Sequence, residues 1–488
     1  MLLDAGIDGF SSATALLTAM NRREISAVEL LEAHLRRVKR YDDQLNSIVV
    51  QDFDRARRDA KKADELRAIA VEKPLLGLPI TIKESIDAEG LPSTAGVSFR
   101  KGHQAAQDAP TVTRLRDAGA VIFGKTNICT WLADYQANNP IYGQTNSPWN
   151  LDRTPGGSSG GSATLAAGLT PLDIGTDLGG SIRIPAAFCG LWGHKPSHGI
   201  VCTHGHFPGT ALPNHAEMFA IQGPHARSAA DLELGLDVMA GPEDAASAAW
   251  KLELPKPRTT SLKSFRVGVY HPPEWLPMEP DILDALEKMI ELLRERGAKI
   301  EETTLAPLGD IDAYYAQFRS LMWTTIAIRF PDEHRRVVVE HKIANGERFY
   351  LADARGLRAS ASDFLQWHEQ REIYRAGWRE IFKTFDVILA PITPIPAFEH
   401  TTLPADQRRL KAGGRDLDFE HMSFFPSLAT LCGLPVTVFP AGFTRDGLPI
   451  GLQAIGRWLE DRTTIAFAKA IEQERGGFIA PPGYAKGL

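Results

Sequence analysis

Polar and apolar positions change rhythm several times along the 488 residues. Over residues 10–70 the spacing is helical. Ser26-Ala27-Val28-Glu29 forms a capping-box pattern, and Leu30, Leu31, Leu35 and Val38 follow at helical intervals. Residues 51–70 continue as a charged amphipathic helix that ends before Pro74. From residue 75 the rhythm shortens. Leu75–Lys83 and Ala120–Phe123 are β-rich runs, and Pro110–Ala118 between them carries a helix start and helical periodicity. Ala163–Gly168 predicts a small-residue helix, and Leu172–Gly175 a short strand.

Further along, residues 241–263 are rich in Ala, Pro, Lys and Ser, which predicts a surface crossing. A strand is expected over Phe265–Tyr270, an amphipathic helix over 279–296 and mostly long helices over 309–384. Residues 400–418 are polar and predict a loop, while Val387–Ala390, Val436–Pro440 and Ile450–Ile455 return to strand texture. Strands alternating with helices point to an α/β sheet that is at least partly parallel.

Composition narrows the class. With 43% hydrophobic and 23% charged residues the chain is an ordinary globular one. A prior of about 150 residues per domain suggests three domains, but large α/β sheets hold such lengths in one unit. A core of this size can bury a charged side chain and shift its pKa. The net charge of −6 is spread without an extended basic face, so no nucleic-acid partner is expected. The start MLLDAGI is interrupted by Asp4 and lacks a basic flank and an apolar stretch of leader length. No run approaches 18 apolar residues. Four dispersed cysteines without a C-x-x-C pair suit a reducing compartment. A cytoplasmic location without membrane contact is therefore expected, and a homodimer is left open.

Three segments carry candidate chemistry. Thr154-Pro-Gly-Gly-Ser-Ser-Gly-Gly-Ser162 lets the backbone pass close to other groups. A flexible linker is the bland alternative, and it fits poorly beside an Ala-rich helix. Gly175-Thr-Asp-Leu-Gly-Gly-Ser-Ile-Arg-Ile-Pro185 runs from a strand into a tight turn. Such a turn aims successive N–H groups at one point, here those of Leu178, Gly179, Gly180 and Ser181, and so suits a developing oxyanion. A helix N-cap at Ser181 is the alternative. In Gly77-Leu-Pro-Ile-Thr-Ile-Lys-Glu-Ser85, Lys83 closes an apolar strand. Reaching neutrality near pH 7 by burial costs about 4–5 kcal/mol. An edge lysine with a snorkelling stem is the competing reading.

Taken together, the three segments resemble the amidase-signature hydrolases. The likeness runs from about residue 20 to 240 and from about 386 to 457, ending in Ala441-Gly-Phe-Thr-Arg-Asp-Gly-Leu-Pro-Ile-Gly-Leu-Gln453. It implies a large mixed, mostly parallel β-sheet covered by helices on both faces. The domain would span 1–488: N-terminal helices to 70, a catalytic core over 71–240, a largely helical segment over 265–385 and a return to the sheet over 386–488. The resemblance also implies Ser181 as nucleophile, Ser158 as a bridging serine held by a cis peptide, and Lys83 as base, with no metal and no cofactor.

Other signals are weighed and set aside. Gly119-Ala-Val-Ile-Phe-Gly124-Lys125-Thr126 matches a phosphate-loop pattern, yet its apolar, β-prone middle is strand rather than glycine-rich loop. Cys189, His194, His198, Cys202, His204, His206 and His215 lack a paired-cysteine knuckle, and a loop over the active-site mouth with one histidine near substrate is expected instead of zinc. Asp177 and Arg183 are expected to form a structural ion pair.

For the substrate, the stretch Thr126–Tyr142 corresponds to a pocket-lining region of the family and departs from the E-F-A type sequence of many relatives. Trp131, Tyr135, Gln136 and Phe207 are candidate substrate contacts, with Phe219 a further apolar candidate. Amides with aryl or bulky acyl groups are expected, with esters and carbamates within reach. The alternatives are a glutaminase subunit of a tRNA-dependent amidotransferase, whose G-V-R-Y-G-like stretch is not found here, and a noncatalytic binding protein on the same fold.

Overall fold

Every residue of Pro79–Lys83 is buried, so the strand there needs cover on both sides. The computed structural model, which describes residues 7–206, 219–242, 244–328, 330–484 and 487, supplies that cover with an eleven-stranded sheet packed by helices. Its strands are β1 (Ile48–Gln51), β2 (Pro79–Lys83), β3 (Val121–Thr126), β4 (Leu172–Asp177), β5 (Trp192–Lys195), β6 (Ile221–Ala226), β7 (Arg266–Val269), β8 (Lys299–Glu302), β9 (Val387–Pro391), β10 (Val436–Phe443) and β11 (Pro449–Ile455). The spatial order is β1-β3-β2-β4-β6-β5-β10-β11-β9-β7-β8. Every residue of β2 to β6 is buried, which requires layers on both faces.

The sheet is mixed, as expected. Parallel pairing occupies two blocks, β3-β2-β4 and β9-β7-β8, and the other ladders are antiparallel. The parallel share is thus smaller than a mostly parallel sheet would have. The Ser26 capping box opens the helix Ala27–Leu45. Pro110–Asp117 and Pro280–Glu295 are helical, and four helices fill 311–384. In place of a plain loop at 400–418, Arg409–Ala412 pairs antiparallel with Arg415–Asp418.

One block positions the chemistry. β2 and β4 run parallel with Thr81 beside Asp173 and Ile82 beside Ile174. Their carboxyl ends therefore share one edge of the sheet, where ligand sites of α/β folds gather. Lys83 ends β2 and Asp177 ends β4. Gly124, Lys125 and Thr126 are strand residues of β3, and the Lys125 ammonium donates to the Pro92 carbonyl.

Candidate active site

Lys83 reaches the sheet edge from a strand buried on every side, and is itself fully buried. Its Nζ donates to Ser158 Oγ at 2.7 Å, Thr176 Oγ1 at 2.8 Å and Ser159 Oγ at 2.9 Å. Burial pushes its pKa down to about 7, against the weaker upward pulls of Cys129, Asp177 and Asp173. A large fraction of the side chain is then a neutral amine near neutral pH, held among three hydroxyls.

Ser158 lies in the glycine-flanked loop before the helix Gly161–Ala166, and the Gly157–Ser158 peptide is cis. A Cβ on Gly157 would stand 2.3 Å from the Gln136 carbonyl oxygen, so the 134–136 backbone can lie over the loop only because glycine is there. Ser181 sits in the turn between β4 and the helix Arg183–Cys189. Ser158, Thr176 and Ser181 all line one cavity of about 320 Å³.

The turn is built around Asp177. Its carboxylate accepts from the amides of Gly180 and Ile182 at 3.0 Å each, and from Arg183 Nε and Nη2 at 3.0 and 2.8 Å. Burial alone would raise the Asp177 pKa, but the Arg183 charge and hydrogen bonds hold it well below the usual carboxylate range. Arg183 continues to Pro426 O and Thr430 Oγ1, both at 2.8 Å. The pair is structural, as the sequence suggests. One of the four expected oxyanion donors is thereby engaged, because the Gly180 amide faces Asp177. Among the described residues, the amides of Leu178, Gly179 and Ser181 meet no acceptor.

The substrate candidates separate. Trp131 and Tyr135 line the cavity. Gln136 does not: its amide exchanges two 3.0 Å hydrogen bonds with the Thr401 backbone and is buried. Phe219 packs in the core against Phe318 at 5.7 Å. Phe207 and His215 lie outside the described residues. His206 lines the cavity, whereas His194, on β5, bonds Thr437 Oγ1 at 3.0 Å and Asp461 at 3.2 Å. No group of three or more potential metal ligands occurs among the described residues.

Sequence reasoning missed the remaining lining. Met322, Trp323 and Ile326 come from the helix Ile311–Ala327, followed by Phe330, and Phe419 and Glu420 come from the segment after the hairpin. An apolar helix is legible there, but its packing partner is set by tertiary contact. The two lining carboxylates are compensated. Asp134 pairs bidentately with Arg408 at 2.7 and 2.9 Å. Glu420 meets Arg319 at 3.2 Å and Lys342 at 3.8 Å. Burial would raise the Glu420 pKa, and these cations lower it.

No described helix is long and apolar enough to cross a membrane. The Amidase family model matches residues 29–465. The chain is 34% identical to a glutamyl-tRNA(Gln) amidotransferase subunit from Roseiflexus castenholzii, over 93% of each chain. It is 31% identical to a fatty-acid amide hydrolase 2-A from Danio rerio, over 96% of this chain and 90% of the relative. A bacterial aryl acylamidase of the amidase-signature family, 24% identical, shares the fold with a TM-score of 0.79 over 96% of each chain. With its family model matched over most of its length and a lysine–serine cluster at the carboxyl edge of the sheet, the chain belongs to the amidase family, the amidase-signature hydrolases.

Proposed function

We propose that this chain hydrolyses the C–N bond of amides with aryl or bulky acyl groups through an acyl-enzyme on Ser181. Esters and aryl carbamates share the same electrophilic carbonyl and fall within its reach. The observation that carries this reading is the cavity: Trp131, Met322, Trp323, Ile326 and Phe330 supply apolar surface, and no Lys or Arg occurs in its described lining. Buried apolar contact favours a neutral, bulky substrate there.

In the proposed sequence neutral Lys83 Nζ takes the proton of Ser158 Oγ, which takes that of Ser181 Oγ as it attacks the carbonyl carbon. The amides of Leu178, Gly179 and Ser181 receive the oxyanion. The proton returns through Ser158 to the leaving nitrogen, the C–N bond breaks, and water then cleaves the ester by the same relay. Lys83 acts in its deprotonated form, so kcat/KM rises as pH climbs through about 7 and levels above it.

A second reading is a glutaminase subunit of an amidotransferase, favoured by the 34% identity to the Roseiflexus relative. Glutamine carries a carboxylate that needs a cation, and the described lining offers none. Assaying the purified chain on anilides, acetamide and glutamine separates the readings. Turnover of anilides well above the other two is the expected result, and glutamine as the preferred substrate overturns it.

A further inference from the structure

The Gly179–Gly180 peptide is bonded at both ends. Its carbonyl accepts the Tyr135 hydroxyl at 3.1 Å, and its N–H donates to Asp177 Oδ1 at 3.0 Å. C=O and N–H belong to one rigid plane and point opposite ways, so the plane cannot turn without losing both bonds. A Gly-Gly pair is otherwise among the freest backbone units. Steric walls hold only one half of it. A Cβ on Gly180, at φ +118°, would meet Pro426 at 2.9 Å, whereas one on Gly179 would meet only the Tyr135 hydroxyl, at an ordinary 3.6 Å.

We propose that Tyr135 is a positioning residue rather than a substrate contact alone: with Asp177 it clamps the Gly179–Gly180 peptide and so aims the flanking amides of Gly179 and Ser181 into the cavity. The inference rests on the Ser181 acyl-enzyme reading above. Tyr135 is itself held firmly. Its ring packs on Phe419 at 5.5 Å, and the Arg408 guanidinium lies 4.6 Å from the centroid of the same Phe419 ring. Arg408 also pairs with Asp134, the residue before Tyr135, so the ring and its backbone neighbour are anchored by one side chain. Loss of solvent, with Tyr315 and Glu420 nearby, raises the phenol pKa well above its ordinary value, which keeps the hydroxyl a donor throughout the working range.

The test compares wild type with Tyr135→Phe, which keeps the ring and removes the oxygen. A fluorophosphonate reports on the turn without needing the substrate: Ser181 Oγ forms the P–O bond, fluoride leaves, and the phosphoryl oxygen occupies the oxyanion position. The labelling rate of the variant is expected to fall about tenfold, between one net hydrogen bond and a whole oxyanion donor. On an anilide the loss should sit in kcat, with KM changed less than about twofold. The half-rise of labelling with pH, set by Lys83, should stay where it is in wild type. Labelling within about twofold of wild type overturns the proposal. So does a loss carried by KM, which makes Tyr135 only a cavity wall, or a moved pH limb, which means the relay itself was disturbed. Wild-type protein left unlabelled at Ser181 contradicts the acyl-enzyme reading instead.

Discussion

One part of the site is polar and drawn from short stretches of chain: Ser158 in the glycine loop and Thr176 and Ser181 around the end of β4 line the cavity, with Lys83 at the end of β2 bonded behind them. Most of the remaining lining is apolar and comes from far apart, with Trp131, the helix Ile311–Ala327 and Phe419 meeting only in the fold. In the first part Lys83 is hydrogen-bonded to both Ser158 and Thr176, and moving one changes the protonation or aim of its neighbours. In the second, contact is additive and little depends on direction. Bond breaking needs the first kind of order, while choosing among acyl groups needs only shape and apolar area.

That contrast makes graded predictions. Lys83→Met removes the base and is expected to lower kcat/KM by about 10²–10⁴-fold and to abolish the pH limb near 7. A retained limb would assign the titration to another group. Arg183→Met leaves the buried Asp177 carboxylate without its cation and should cost about 3–5 kcal/mol of unfolding free energy, read by denaturant titration. A cost below about 1 kcal/mol would mean that the turn amides alone hold Asp177. Ile326→Ala trims the apolar part and should raise KM for a bulky anilide about fivefold, leaving acetamide unchanged. Equal effects on both substrates would erase the division between the two parts of the lining.

The same division governs what the sequence could reveal. Lys83, Ser158 and Ser181 stand in glycine-rich or apolar contexts that constrain backbone and burial locally, so they were legible. Met322, Trp323 and Ile326 were not, since an apolar helix reads alike whether it faces core or cavity. Gln136 looked like a pocket residue and is spent on the Thr401 backbone, a partner 265 positions away.

Among strands, β5 and β6 hide behind glycine, proline and histidine. A Cβ on Gly193 would come within 2.8 Å of Ala186, and one on Gly223 within 2.3 Å of the His194 carbonyl oxygen. Close approach there takes the place of β-branched bulk. β8, Lys299–Glu302, is a mostly exposed edge strand with a polar sequence. The hairpin at 409–418 did carry a signal: Gly413-Gly414 is a two-residue turn between polar strands.

Acylation of Ser181 during turnover, on which the proposed chemistry depends, is open to direct observation. Reaction of the chain with an anilide or the matching activated ester, quenched in acid and digested, permits mass spectrometry of the peptide that contains Ser181. The acyl mass is expected on Ser181 in wild type and absent from Ser181→Ala. An acyl group on another residue, or sustained turnover by Ser181→Ala, would contradict it.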